Sequence, residues 1–290
     1  MAARTERQKA KAQYDRQMKV MKRDDMIQHA RFKLTLQEQR CVLYAISKIK
    51  PGDTAMVEYE FEIKDFYALC GLEDQSYTKL KTMLRGLSDR SWWAEIDDKG
   101  TESVLRWFTT VRTNKKSGKV TIKFHEDMMP FLLQLAEQAR EQGIYYTQYQ
   151  LKYILPMQSQ YSPRLYELLK SYQKNNIEWR FGIDKLKSLL DCKNYKNFND
   201  FKRFALEPAV REINEYTDLK IAYDTERLGR KVTDVRFFMV SKSEDELLDT
   251  HLHIEQELDG QINLDEVLAD PPSVREQFFK ENKRTRREKQ

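Results

Sequence analysis

Cysteine is scarce in this 290-residue chain, and the few present do not cluster. Cys41, Cys70 and Cys192 lie far apart among apolar residues at helical spacing, so they outline neither a disulfide framework nor a CxxC metal site. Buried free thiols in a reducing cytosol are the expectation. No stretch reaches the ~20 apolar residues of a membrane span, and the opening residues are rich in Lys, Arg and Gln, unlike a signal peptide. A cytoplasmic chain without membrane contact is expected.

Catalytic signatures are missing as well. Ser117-Gly118-Lys119 lacks the earlier glycine of a Walker A loop. His251-Leu252-His253 has the local form of a nicking enzyme's metal site, but a bare pair leaves a metal short of ligands. The last tyrosine is Tyr223, so no nucleophile follows that pair. No Ser/His/Asp or Cys/His grouping stands at a supporting spacing. The chain is expected not to be an enzyme, with no catalytic residue, no metal site and no cofactor.

Charge is abundant and unevenly placed. Residues 244–270 hold ten acids and no Lys or Arg, while residues 275–290 hold seven bases and three acids. With a net charge of +5 for the whole chain, the residues before 244 carry about +11. A basic body of that size suits a polyanionic partner.

One plan then occurs twice. "LYAISKIK" precedes "YEFEIKDFYAL", and about 120 residues later "LYELLKSYQK" precedes "WRFGIDKLKSL". Leu43-Tyr44 matches Leu165-Tyr166, Tyr59 matches Trp179, and Phe61, Ile63, Phe66 and Leu69 match Phe181, Ile183, Leu186 and Leu189. The matches fall on apolar positions, which packing dictates in two copies of one small fold.

Each copy reads as helix, strand, helix, helix, hairpin. In the first, Thr35 and Glu38 form a capping box for a helix to Ile49, Val57 to Phe61 alternate as a strand, and Lys64 to Leu69 form a helix stopped by Gly71. Ser76 caps a helix through Leu87, and strands follow at Trp92–Ile96, Val104–Arg112 and Val120–Phe124. Met128 to Arg140 reads as one amphipathic helix. In the second copy, Ser162 as N-cap and Pro163 start a helix, Ile177–Phe181 is a strand and Ile183–Leu190 a helix. Asn199 or Asp200 caps a helix to Tyr216, whose apolar side is Ala205, Leu206, Ala209, Ile213 and Tyr216. Leu219–Tyr223 and Val232–Val240 then form a hairpin around Gly229. The expected fold is α+β, two tandem winged-helix domains with polar tails. Its divisions are a polar N-terminal arm (1–26), a first domain (27–143), a linker (144–160), a second domain (161–243) and a flexible charged tail (244–290).

In a helix-turn-helix the second helix enters the major groove, and a basic hairpin beside it lies along the phosphates. Asn199, Asp200, Lys202, Arg203 and Arg211 on the second copy's helix include types that read bases, with Arg suited to guanine and Asp to cytosine. Arg227, Arg230 and Lys231 line its wing. The first copy offers Lys79, Lys81 and Arg85 on its helix and Lys115, Lys116 and Lys119 on its hairpin, a set suited to phosphate. Base reading is thus expected from the second copy, and backbone grip from the first.

The strings "YSPRLYELLKSY", "FGIDKLKSLLD", "FKRFALEPAVREINEYTDLKIAYD" and "GRKVTDVRFFMV" resemble the second winged-helix domain of the initiators of theta-replicating, iteron-type plasmids. "LTLQEQRCVLYAISKI" resembles the opening helix of that family's first domain, and the likeness covers residues 20 to 243. The resemblance implies recognition helices at Ser76–Leu87 and Asn199–Tyr216, and sequence-specific binding of double-stranded DNA at directly repeated origin sites. It also implies a dimer that autoregulates its gene at an operator, and a monomer that initiates replication. Host replication proteins, such as a helicase or an initiator, are the expected partners. A dimeric repressor using the same fold only to block a promoter is the alternative. Within the tail, Leu247, Leu248, Leu252, Ile254 and Leu258 could line a helix.

Overall fold

A doubled sheet underlies the doubled sequence. The computed structural model describes residues 6–50, 52–72, 76–95, 101–174 and 176–259. The first half runs α1 (Glu6–Gln17), β1 (Lys19–Arg23), α2 (Asp24–His29), α3 (Leu36–Ser47), β2 (Glu58–Glu62), α4 (Ile63–Leu69) and α5 (Tyr77–Asp89). Four strands follow, β3 (Ser91–Glu95), β4 (Glu102–Arg106), β5 (Phe108–Asn114) and β6 (Lys119–Phe124), then α6 (Met129–Leu132), α7 (Leu135–Gln142) and β7 (Tyr146–Gln150). The second half runs α8 (Ser162–Gln173), β8 (Glu178–Gly182), α9 (Ile183–Leu189), α10 (Phe198–Phe201), a π turn (Lys202–Leu206) and α11 (Glu207–Tyr216). It ends with β9 (Leu219–Leu228), β10 (Lys231–Ser241) and α12 (Glu244–Asp259).

Both halves use one strand order, β2-β6-β5 and β8-β10-β9, with every pairing antiparallel. Tyr59 faces Ile122 and Phe61 faces Val120, as Trp179 faces Phe237 and Phe181 faces Val235. The aromatic pairs matched by sequence therefore hold the same place in the same sheet. Period-two alternation turns Phe61, Val120, Ile122, Phe181, Val235 and Phe237 into the core. Helices α4 and α9 follow their strands directly and pack beneath.

The helix starts obey local chemistry. Thr35 and Glu38 close a capping box on α3, and Ser76 Oγ accepts the Lys79 amide at 3.3 Å to start α5. Leu80, Leu84 and Leu87 then face inward at helical spacing. Ser162 is no N-cap: it lies inside α8, and its hydroxyl donates to the buried Glu212 carboxylate at 2.6 Å. The three cysteines are free and buried.

The polar N-terminal arm is built into the fold rather than standing apart from it. Helix α1 has no apolar stripe, and it docks through polar hooks that periodicity does not display. Tyr44 Oη and Lys48 Nζ donate to Asp15 at 2.8 and 2.7 Å, while buried Arg16 donates to the Ala68 and Leu69 carbonyls and to Glu255. The expected linker is also structural, because β7 within it pairs antiparallel with β1. The flexible tail is corrected in part. Residues 244–259 form α12, with Ile254 and Leu258 buried, and residues 260–290 lie outside the described residues. Helices α1 and α12 thus form a strap over the joint between the modules.

Two further boundaries differ. Strand β4 ends before Trp107 and β5 begins after it, so β3 and β4 form a separate hairpin and the wing is β5–β6; residues 96–100 lie outside the described residues. The helix expected over 128–140 breaks at Leu133–Gln134, where Gln134 turns left-handed (φ 51°). No described helix is long and apolar enough to cross a membrane.

Candidate nucleic-acid interface

In the first module α5 presents Lys79, Lys81 and Arg85 on its exposed side, opposite its buried leucines. Arg85 lies 3.8 Å from Asp89 one turn on, an exposed pair that leaves the guanidinium accessible. Tyr77 Oη shares a 3.0 Å hydrogen bond with Thr113 of β5, which ties the helix start to the wing. The wing tip is shaped by Asn114, whose side-chain oxygen accepts the Lys116 and Ser117 amides at 3.0 and 3.1 Å, and by Gly118 at φ +66°. That turn holds Lys115 and Lys116 outward and exposed. Lys119 is different: its ammonium donates to Glu60 at 2.6 Å across the sheet, and that carboxylate pushes its pKa up. It is less available to phosphate than its two neighbours.

In the second module the helix is not regular. Asn197, rather than Asn199 or Asp200, is the N-cap, its Oδ1 accepting the Asp200 amide at 2.8 Å. Its Nδ2 also donates to Asp200 Oδ2 at 2.6 Å, so one oxygen of the expected cytosine acceptor is already engaged. Asn199 stays exposed in the first turn. The π turn follows, with the Glu207 amide reaching back five residues to the Lys202 carbonyl. Pro208 explains the widening, since it has no amide to donate and its ring crowds the preceding turn. Phe201, Ala205, Leu206, Ala209 and Ile213 remain fully buried on one side. Arg203, Glu207 and Arg211 are exposed on the other, with Lys202 3.4 Å from Glu207.

The second wing is long, ten residues in β9 and eleven in β10, closed by the two-residue turn Gly229-Arg230 with Gly229 at φ +62°. Arg227 stands on β9, Arg230 in the turn and Lys231 at the start of β10, all exposed. Asn214 fixes helix to wing: its amide accepts the Ile221 N–H at 2.6 Å and donates to the Ile221 carbonyl at 2.9 Å. Each module therefore joins a basic helix to a basic hairpin through specific hydrogen bonds.

Sequence reading passed over Phe204, which is 49% exposed in the middle of this helix. The available signal was a large aromatic beside the apolar stripe, with a proline four residues on. His251 and His253 are also apart in role: His251 Nε2 meets Tyr153 Oη at 3.1 Å, and His253 Nε2 meets Glu215 at 3.0 Å.

The family model described as initiator replication protein, WH1, matches residues 19–170, and the initiator Rep protein WH2 model matches residues 182–239. The chain belongs to the initiator replication protein family. A replication initiation protein of Escherichia coli is 26% identical over 228 residues, covering 73% of this chain. A PI protein of Escherichia coli is 25% identical over 158 residues, covering 49%. The matched regions span 66% of the first relative's length and 50% of the second's. The crystal structure of Pi initiator protein in complex with iteron DNA aligns with a TM-score of 0.63 at 21% identity. It covers 79% of this chain and 99% of that one, a likeness of fold that agrees with the twinned winged helices of this initiator-family chain.

Proposed function

We propose that this chain is a plasmid replication initiator. It binds double-stranded DNA at directly repeated origin sites, bends it, and brings host replication proteins to the neighbouring segment. In a self-associated form it represses its own gene. The supporting observation is the twinning: two modules of one fold each join an exposed basic helix to an exposed basic hairpin. Family membership and the iteron-bound relative point the same way. Arg203 and Arg211 are assigned to base edges, and Arg227, Arg230, Lys231, Lys81, Arg85, Lys115 and Lys116 to phosphates. The mechanism requires no covalent step.

Footprinting on DNA beside the chain's own gene tests the reading. Protection of each of several direct repeats is expected, together with rescue of a plasmid that carries the repeats but lacks the gene. Protection confined to one inverted repeat, with no rescue, would establish the repressor alternative instead.

A further inference from the structure

Phe204 is the one large apolar side chain exposed on the helix from Phe198 to Tyr216 among the described residues. Its ring is not loose. Tyr195, in the turn before the helix, stacks on it with centroids 6.1 Å apart and planes 20° apart, and the Arg203 guanidinium lies 5.1 Å from its centroid. Tyr195 is itself held, its carbonyl accepting from Lys187 Nζ at 2.6 Å and its hydroxyl from Tyr161 at 3.3 Å. The π turn that carries Phe204 delivers it to the side of the helix where Arg203 and Glu207 are exposed. A stretched helical turn that carries a propped aromatic on its outer side suits a contact made in a complex.

We infer that Phe204 is a specificity-determining residue that reads the 5-methyl group of a thymine in the major groove. The inference rests on the proposed binding of DNA through this helix. Its chemical ground is that a phenyl ring offers no hydrogen bond, and the thymine methyl is the apolar group that base edges present in that groove. Contact with phosphate would gain nothing from the ring. Insertion between stacked bases would require the ring to leave both Tyr195 and Arg203. A ring already pinned loses little freedom on binding, so the contact discriminates at small entropic cost.

The test uses the full chain and a duplex recovered by its selection from a random-sequence library, with each thymine replaced in turn by deoxyuridine. Loss of one particular methyl is expected to weaken wild-type binding about fourfold, the worth of one buried methylene-sized group. Phe204→Ala should bind the thymine and uracil forms of that duplex equally, while Phe204→Leu keeps part of the difference. Equal affinity for random duplex and an unchanged salt slope would show that both variants are folded and grip the backbone. Wild-type binding indifferent to every replacement, or a methyl effect undiminished in Phe204→Ala, overturns the inference and leaves the DNA-binding reading standing. Recovery of no preferred sequence overturns both.

Discussion

The two basic outer helices occupy the same place in the same fold, yet one is regular and the other is broken. Helix α5 is a capped run of thirteen residues whose exposed side carries Lys79, Lys81 and Arg85. The second passes from α10 through a π turn into α11, and its exposed side mixes Asn199, Arg203, Phe204, Glu207 and Arg211. The wings differ as well, the first tightened by the Asn114 turn and partly neutralised at Lys119, the second long and basic to its tip. Packing kept the inward faces alike. The outward faces, free of that constraint, have come to carry different chemistry, with point charges on one and shaped polar and aromatic groups on the other.

That comparison assumes that the modules are held as one body, and the strap is where the assumption breaks most easily. Arg16 is fully buried, and its guanidinium donates to Glu255 of α12 at 2.9 Å and to two carbonyls at the end of α4. Removing one member of a buried pair leaves the other charge without compensation. Arg16→Ala is expected to cost about 3–5 kcal/mol in urea unfolding. The loss should appear first as reduced hydrogen-exchange protection in α1, α4 and α12, with α11 spared. Replacing both partners, Arg16→Met with Glu255→Leu, should recover most of it, and an equal loss in the double variant would mean that the pair itself is not what holds the strap.

How much of this was legible follows from what each signal measures. Apolar periodicity reports core faces, so α3, α5, the twin sheets and the matched aromatics could be read from Tyr59, Phe61, Trp179 and Phe181. Helix α1 has no such face and is held by Asp15 and Arg16, whose partners lie in α3, α4 and α12. No local pattern announces contacts so distant in sequence. The π turn needed Pro208 to be read as a disturbance of the ladder rather than as a tolerated residue. The basic positions were visible, but not their neighbours: Glu60 beside Lys119, Glu207 beside Lys202 and Asn197 on Asp200 decide which charges stay available.

The division of labour can be separated by salt and sequence. Arg203→Ala should lose about 1–3 kcal/mol on the repeat duplex and much less on a random one, because a lost base contact matters only where that base is present. Lys81→Ala should weaken both alike and lower the slope of log K against log salt by about one. Lys115→Ala and Lys116→Ala should each behave like Lys81→Ala, whereas Lys119→Ala should change the slope less, since Glu60 already occupies its ammonium. Uniform loss for Arg203→Ala would erase the proposed distinction between the modules.

A smaller effect concerns the way α12 meets each side. Toward the first module α12 offers Glu255 to Arg16 and packs Leu258 on Gly71, and at the joint it places His251 against Tyr153, rings 5.8 Å apart and 27° from parallel. Burial, with Lys152 nearby, holds the His251 imidazole down to about 4, so it is neutral in the folded chain at pH 7. In the unfolded chain an ordinary histidine titrates near 6.5. The unfolded state therefore takes up a proton first as pH falls. The contribution of neutral His251 is complete above about pH 6.5 and is lost progressively as the pH drops toward 4. Allowing for solvent at the partly exposed ring, about 1 kcal/mol should disappear between pH 7 and pH 5. His251→Gln keeps a hydrogen-bonding group for Tyr153 without the titration, so the difference between its stability and that of the wild type should change by that amount over the same range. A difference that stays constant from pH 7 to pH 5 would mean that His251 is as accessible to protons when folded as when unfolded, and that the joint does not seal it.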